Sequence, residues 1–191
     1  MTKGRGTVIP IRLFGDPVLR TPCRDVETFD DLLTKLCDDM LETMYQAPGV
    51  GLAAPQIGLA IRLFVFDAGD GSAPNAVANP VLSNMEGTQE DEEGCLSIPN
   101  LYFPTERAHF VRVTGQDVKG KPITFEGEGL VARIFQHETD HVNGTLFIER
   151  LAPEERRKAM ALIRERELGW REGRIAGRWT DQPAERPERS G

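Results

Sequence analysis

The sequence predicts an α+β fold, and three observations predict it. Apolar residues recur at helical spacing from Phe29 to Met44. Short β-forming runs separated by Gly, Asp, Asn and Pro fill the stretch from Ala60 to Phe125. Helical patterns resume only after that stretch, from about Gly129 and again from Pro153. Strands gathered between helices, rather than alternating with them, suggest α+β.

Residues 1–26 read as an extended arm punctuated by Pro10, Gly15, Pro17 and Pro22. Phe29, Leu32, Leu33, Leu36, Met40 and Met44 then mark the apolar face of a helix, with Thr28 as N-cap and Pro48-Gly49 as its stop. Cys37 shares that face and is expected to be a core thiol. Strands are expected at Ile61–Phe66, Ala76–Leu82, Phe110–Val113 and Pro122–Phe125, and loops at Asp67–Asn75 and at the acidic stretch Glu86–Glu93. A second helix is expected from Gly129 to Val142, ending at Asn143-Gly144. A third starts at Pro153, a good first-turn residue, and runs to about Trp170. One catalytic domain over residues 1–170 is expected. A flexible tail over 171–191 should follow it, since Thr180 to Gly191 is rich in Pro, Glu and Arg.

The chain has 191 residues, 39% hydrophobic and 28% charged, which fits one soluble globular domain. A net charge of −7 and a pI of about 5.1 argue against DNA and against general nucleic-acid or membrane binding. The charge is uneven, with nine basic and five acidic residues between Arg150 and Arg178. That patch is a solvated helix face or a dock for an anionic partner. Three cysteines (Cys23, Cys37 and Cys95) make no disulfide framework, so a reducing cytoplasm is expected. No apolar run approaches a membrane span or a signal h-region. No internal repeat, GxGxxG or P-loop appears.

The most informative segment is His137-Glu138-Thr139-Asp140-His141. Two histidines four apart on a helix share one face and can grip one metal ion, and the intervening glutamate can reach a water there without being a ligand. Catalytic sites of this kind use three protein ligands and leave a position open for water. The third ligand has several candidates. Phe147 stands where one peptidase pattern has its last histidine, and phenylalanine cannot bind a metal. Glu154 and Glu155 lie among Arg156, Arg157 and Lys158, which reads as helix-start chemistry. His109 sits at a strand start and reads as structural. Cys95, between Gly94 and Leu96, is the leading candidate, because a thiolate is a strong ligand for zinc or ferrous iron.

Three segments together resemble the peptide deformylase family. Gly49-Val50-Gly51-Leu52-Ala53-Ala54-Pro55-Gln56 is similar to its GxGLAAxQ motif, Glu93 to Ser97 to EGCLS, and Gln136 to His141 with Gly144 to QHExDHxxG. They stand in the family's order, and the resemblance runs from about Leu13 to Leu168. It implies antiparallel sheets surrounding the central helix that carries the two histidines. It implies one divalent metal on Cys95, His137 and His141, with Fe2+ native and Zn2+, Ni2+ or Co2+ as substitutes. It places the catalytic acid/base on Glu138 and the oxyanion donors on the Gln56 side chain and the Leu96 N–H. Substrate contacts are expected at Val50, Gly51, Glu93, Gly94, Leu130 and Ile134. The implied substrate is the N-formyl-methionyl end of nascent peptides, cleaved by a monomer, with the basic C-terminal helix as a dock for the ribosome. Two positions depart from the pattern. Pro99 to Pro104 lacks an arginine that many members carry, and Arg133 stands where some carry an apolar residue.

Two other readings of the residues compete. An endopeptidase would use the same helix motif with a downstream third ligand. A structural zinc module would close the site with a fourth ligand and leave Glu138 and Gln56 without a task.

Overall fold

A computed structural model describes residues 6–171, with side chains to residue 167. The expected tail lies, but for its first residue, outside the described residues. Of the extended arm, Pro17–Arg20 winds into a 3-10 turn and Arg24 bridges to Ile61.

Helix α1 spans Asp31–Gln46 and buries Leu33, Cys37, Met40, Leu41 and Met44. Its cap is Asp30 rather than the expected Thr28: the Asp30 carboxylate accepts from the Leu33 N–H at 3.0 Å. An anionic acceptor there satisfies an orphan donor and meets the positive end of the helix dipole. Leu32, expected on the apolar stripe, is exposed, because it lies about 100° around the helix from Leu33. Cys37 is fully buried, as expected.

Seven strands follow among the described residues: β1 (Gly51–Ala53), β2 (Leu63–Phe66), β3 (Asn75–Glu86), β4 (Gln89–Cys95), β5 (Ile98–Arg107), β6 (Phe110–Gln116) and β7 (Pro122–Glu128). They form a five-stranded antiparallel sheet in the order β1-β2-β3-β6-β7 and a separate β4-β5 hairpin. Strand β3 runs beyond the expected Leu82. Its ladder shifts between Ala78 and Val81, which lets it carry Pro80.

The stretch Glu86–Glu93 is not a loop. It holds the end of β3, a two-residue turn and most of β4. Its carboxylates at Glu86, Glu90, Asp91 and Glu92 are exposed, only Glu93 is buried, and the partner β5 turns Leu101, Phe103, Thr105 and Arg107 inward. The ladder breaks where β4 meets the site. Gly94 pairs with Tyr102 but Cys95 pairs with Ile98, so Pro99, Asn100 and Leu101 leave the register. Asn100 takes a left-handed φ of 59°, and Arg166 donates to the Pro99 and Asn100 carbonyls at 3.0 and 3.1 Å.

Helix α2 (Gly129–Val142) packs against both sheets and is buried on every side from Ala132 onward. Phe135 fixes it to the large sheet, meeting the Phe66 ring edge-on at 5.1 Å, and Phe125 closes a three-ring cluster at 5.5 Å from Phe66 and 6.4 Å from Phe135. Helix α3 (Pro153–Arg171) begins at the expected proline and covers the hairpin through Ala159 and Ile163. Antiparallel sheets therefore wrap a central helix, with one helix before and one after. Among the described residues no helix is long and apolar enough to cross a membrane.

Candidate metal centre

Burying every side of α2 leaves its polar side chains only the protein interior to bond to. Arg133 Nη2, Glu138 Oε2, Thr139 Oγ1 and His141 Nδ1 are buried there without a hydrogen-bond partner among the described residues. On one face, the four-residue spacing sets the rings of His137 and His141 with centroids 4.9 Å apart. Strand β4 ends opposite them. The broken register turns Cys95 inward, with Sγ 3.2 Å from His141 Nε2. One ligand atom each from Cys95, His137 and His141 lies within 4.8 Å of the others, and no fourth His, Cys, Asp or Glu joins the group among the described residues. Glu154 and Glu155 start α3, Glu155 pairing with Lys158. Phe147 lies flat against His137, centroids 6.2 Å apart.

The centre fits a divalent cation on its own terms. His137 Nδ1 lies 2.7 Å from Glu93 Oε1. Donation there leaves Nε2 as the free lone pair on the cysteine side. Burial works against a charged His137, yet Cys95 and Glu93 on its two flanks both favour positive charge at that spot. His141 is pushed the other way, by burial and then by the charges of His137 and Arg107, so it stays a neutral donor. One soft sulfur and two imidazoles, with no fourth His, Cys, Asp or Glu among the described residues, suit zinc or ferrous iron.

Glu138 occupies the gap between the histidines and β1. Its Oε2 is buried without a hydrogen-bond partner among the described residues. Burial, with Glu93 adding to it and His137 and Arg107 opposing, pushes its carboxyl up to about 7. Gly51 makes room for it, since a Cβ there would overlap the Glu138 carboxylate. Gln56 is also buried. Its Oε1 accepts from the Ala53 N–H at 2.8 Å, which turns Nε2 toward Ser97 Oγ at 3.3 Å and Cys95 Sγ at 3.6 Å. Leu96 forms the turn after Cys95, its side chain against Gly49. Gly94 lies under the Tyr102 ring, where a Cβ would come within 2.5 Å. Val50 and Leu130 show apolar surface to solvent, whereas Ile134 packs into the core between α2 and the large sheet.

Three residues escaped the sequence reading of the site. Arg107 forks onto both Glu93 oxygens at 2.6 and 3.0 Å and donates to Asp140 at 2.7 Å. Arg133, noted only as a departure, donates to Glu93 Oε2 at 2.7 Å. Asp140, inside the motif but facing away from the metal side, also holds Arg150 at 2.6 Å. Burial alone would raise the Glu93 carboxyl, but hydrogen bonds from His137 and Arg107 hold it well below the usual range. The usable signal was Glu93 itself, because a carboxylate in a buried motif demands cations nearby. A groove of about 680 Å3 on the far side of α2 is lined by Thr139, Asp140 and Arg150 but not by Cys95, His137 or His141.

What the fold and this centre define is a class, the metal-dependent hydrolases in which a buried carboxylate works beside a three-ligand cation site. The polypeptide deformylase family model matches residues 8–157. The chain belongs to the polypeptide deformylase family, which is metal-dependent. It is 54% identical over 160 residues to the peptide deformylase of Acidothermus cellulolyticus, covering 84% of this chain and 88% of that one. It is 50% identical over 157 residues to peptide deformylase 1 of Corynebacterium glutamicum, covering 81% and 93%. A crystal structure of the peptide deformylase from Thermus thermophilus superposes with a TM-score of 0.79 at 49% identity, over 83% of this chain and 95% of that one.

Proposed function

We propose that this chain hydrolyses the N-formyl group from the N-terminal formyl-methionine of newly made polypeptides, with Cys95, His137 and His141 holding the cation and Glu138 as the acid/base. The reading rests on one observation above the rest. A buried carboxylate oxygen of Glu138 has no partner among the described residues and stands beside the Cys/His/His cluster.

When bound, the cation supplies Lewis acidity, which makes water a nucleophile near neutral pH and polarises the formyl carbonyl. Glu138 takes the proton of the attacking water as the C–O bond forms. It returns that proton to the amine nitrogen as the C–N bond breaks, releasing formate and a free N-terminus. The oxyanion of the tetrahedral intermediate accepts from Gln56 Nε2 and the Leu96 N–H, and such donors are worth about 10²–10³ in turnover each. Val50, Leu130 and Ile134 offer the apolar surface for the methionine side chain, with Gly51, Glu93 and Gly94 alongside. The physiological ion is Fe2+, replaceable by Zn2+, Ni2+ or Co2+. The protein works as a cytoplasmic monomer, and the basic helix from Arg156 docks it near ribosomal RNA.

The test is formate release from a formyl-Met peptide by wild type and by Glu138→Ala, with metal content measured in both. The expected result is a variant that keeps its metal and loses nearly all turnover. Near-wild-type turnover in Glu138→Ala would remove Glu138 from its role, and casein cleavage by wild type would favour an endopeptidase.

A further inference from the structure

A continuous row of charge-assisted hydrogen bonds crosses α2 from the metal centre to the groove behind it. His137 Nδ1 and Arg107 Nη2 share Glu93 Oε1, at 2.7 and 2.6 Å. Arg107 Nη1 and Arg150 Nε share Asp140 Oδ2, at 2.7 and 3.1 Å. Arg150 Nη2 also holds Asp140 Oδ1 at 2.6 Å. Glu93, Arg107 and Asp140 are buried, while the Arg150 side chain is 50% exposed at the mouth of the groove.

We infer that Asp140 and Arg150 are positioning residues of the metal centre, which set through Arg107 how strongly Glu93 polarises His137. The inference rests on the proposed cation site. The physical reason is that each shared oxygen divides its charge between two donors. Arg107 divides its own charge between Glu93 and Asp140. Whatever weakens Asp140 turns Arg107 more fully onto Glu93, and Glu93 then has less charge to offer the His137 N–H. A less polarised imidazole is a poorer ligand. Arg150 acts in the opposite sense. It draws on Asp140, so its removal leaves Asp140 to Arg107, frees Glu93 for His137 and strengthens the ligand.

The two residues therefore carry opposite signs. Neutralising Asp140 loosens the cation, and neutralising Arg150 tightens it. A scaffolding role predicts something else, since removing either partner of a structural ion pair would loosen the site.

The experiment measures the Co2+ dissociation constant by chelator competition on the full chain, with the visible spectrum of the Co2+ form as a second readout. The variants are Asp140→Asn, Arg150→Met, Arg150→Lys and the double variant Asp140→Asn/Arg150→Met. Asp140→Asn should weaken Co2+ binding about 10-fold or more, within the range for groups that orient ligands. Arg150→Met should tighten it by a few-fold, and Arg150→Lys should return it toward wild type. In the double variant the Arg150 effect should vanish, because its route through Asp140 is gone, whereas a through-space charge effect would persist. Loosening by Arg150→Met, no change in it, or an undiminished Arg150 effect in the double variant would each overturn the inference. Arg150 is half exposed, so its variants decide the matter even if Asp140→Asn folds poorly. Wild type without a sulfur-to-cobalt absorption band would overturn the metal reading and this inference together. A normal band with no opposite-sign response would overturn this inference alone.

Discussion

The Glu138 carboxylate lies where a side chain on Gly51 would begin, so the strand carrying Gly51 and the helix carrying Glu138 meet with no room for a methyl group. Gly51→Ala should displace Glu138 without touching Cys95, His137 or His141, the proposed ligands. We expect turnover of a formyl-Met peptide to fall by about 10²-fold or more, given the cost of misplacing a reacting group. Metal content and far-UV circular dichroism should be unchanged. Full activity in this variant would mean that Glu138 has slack the structure does not show.

Glu93 holds two buried guanidiniums and one imidazole. Glu93→Ala would leave Arg107 and Arg133 facing each other without their carboxylate, a change of about 3–5 kcal/mol in folding stability. Urea denaturation measures it. Glu93→Gln keeps the shape and should fold, but with metal affinity lowered about 10–100-fold. A Gln variant that binds as tightly as wild type would count against the polarising role of Glu93.

The three thiols should separate by reactivity. Burial pushes the Cys37 thiol up to about 12, so at pH 8 less than about one part in a thousand is thiolate and the group is also inaccessible. Cys37 should stay unlabelled by a thiol reagent until the protein unfolds. Cys23 is partly exposed and should react slowly in the native protein. Cys95 should be protected in metal-loaded protein and gain reactivity on chelation. Mass spectrometry of labelled peptides reads each site, and equal labelling of Cys95 in both forms would argue against its coordination.

Phe147 is fully buried with its ring along His137. Phe147→Ala should cost about 3–5 kcal/mol in stability, the usual range for deleting a core aromatic ring. Phe147→Leu should cost clearly less. A thermal melt distinguishes them, and equal midpoints would show that the cavity collapses.

The parts of this protein legible in its sequence are those where one local period does the work. Helix α2 shows its histidines because helical spacing alone puts them on one face, and its ends match the expected ones. Cys95 emerged by elimination among ligand types. Strand β5 stayed hidden because Pro99 and Pro104 interrupt its pattern, and only pairing with β4 makes it a strand. The acidic run stayed hidden for a related reason, since its charges are compatible with an exposed strand as well as with a loop. Arg107 was invisible because its meaning lies in two distant carboxylates, Glu93 and Asp140. Asp30 displaced Thr28 as a cap through geometry that propensity does not resolve.

Cys95 and His141 stand 46 positions apart along the chain, with three strands folded between them. No short fragment can therefore offer all three donors at once, and an unfolded chain meets an ion with scattered groups only. At the proposed site, ion capture is thus coupled to completion of the tertiary structure, and every tenfold rise in free ion above saturation should add about 1.4 kcal/mol to the unfolding free energy. The thermal midpoint of this protein becomes a gauge of ion occupancy, readable without any substrate.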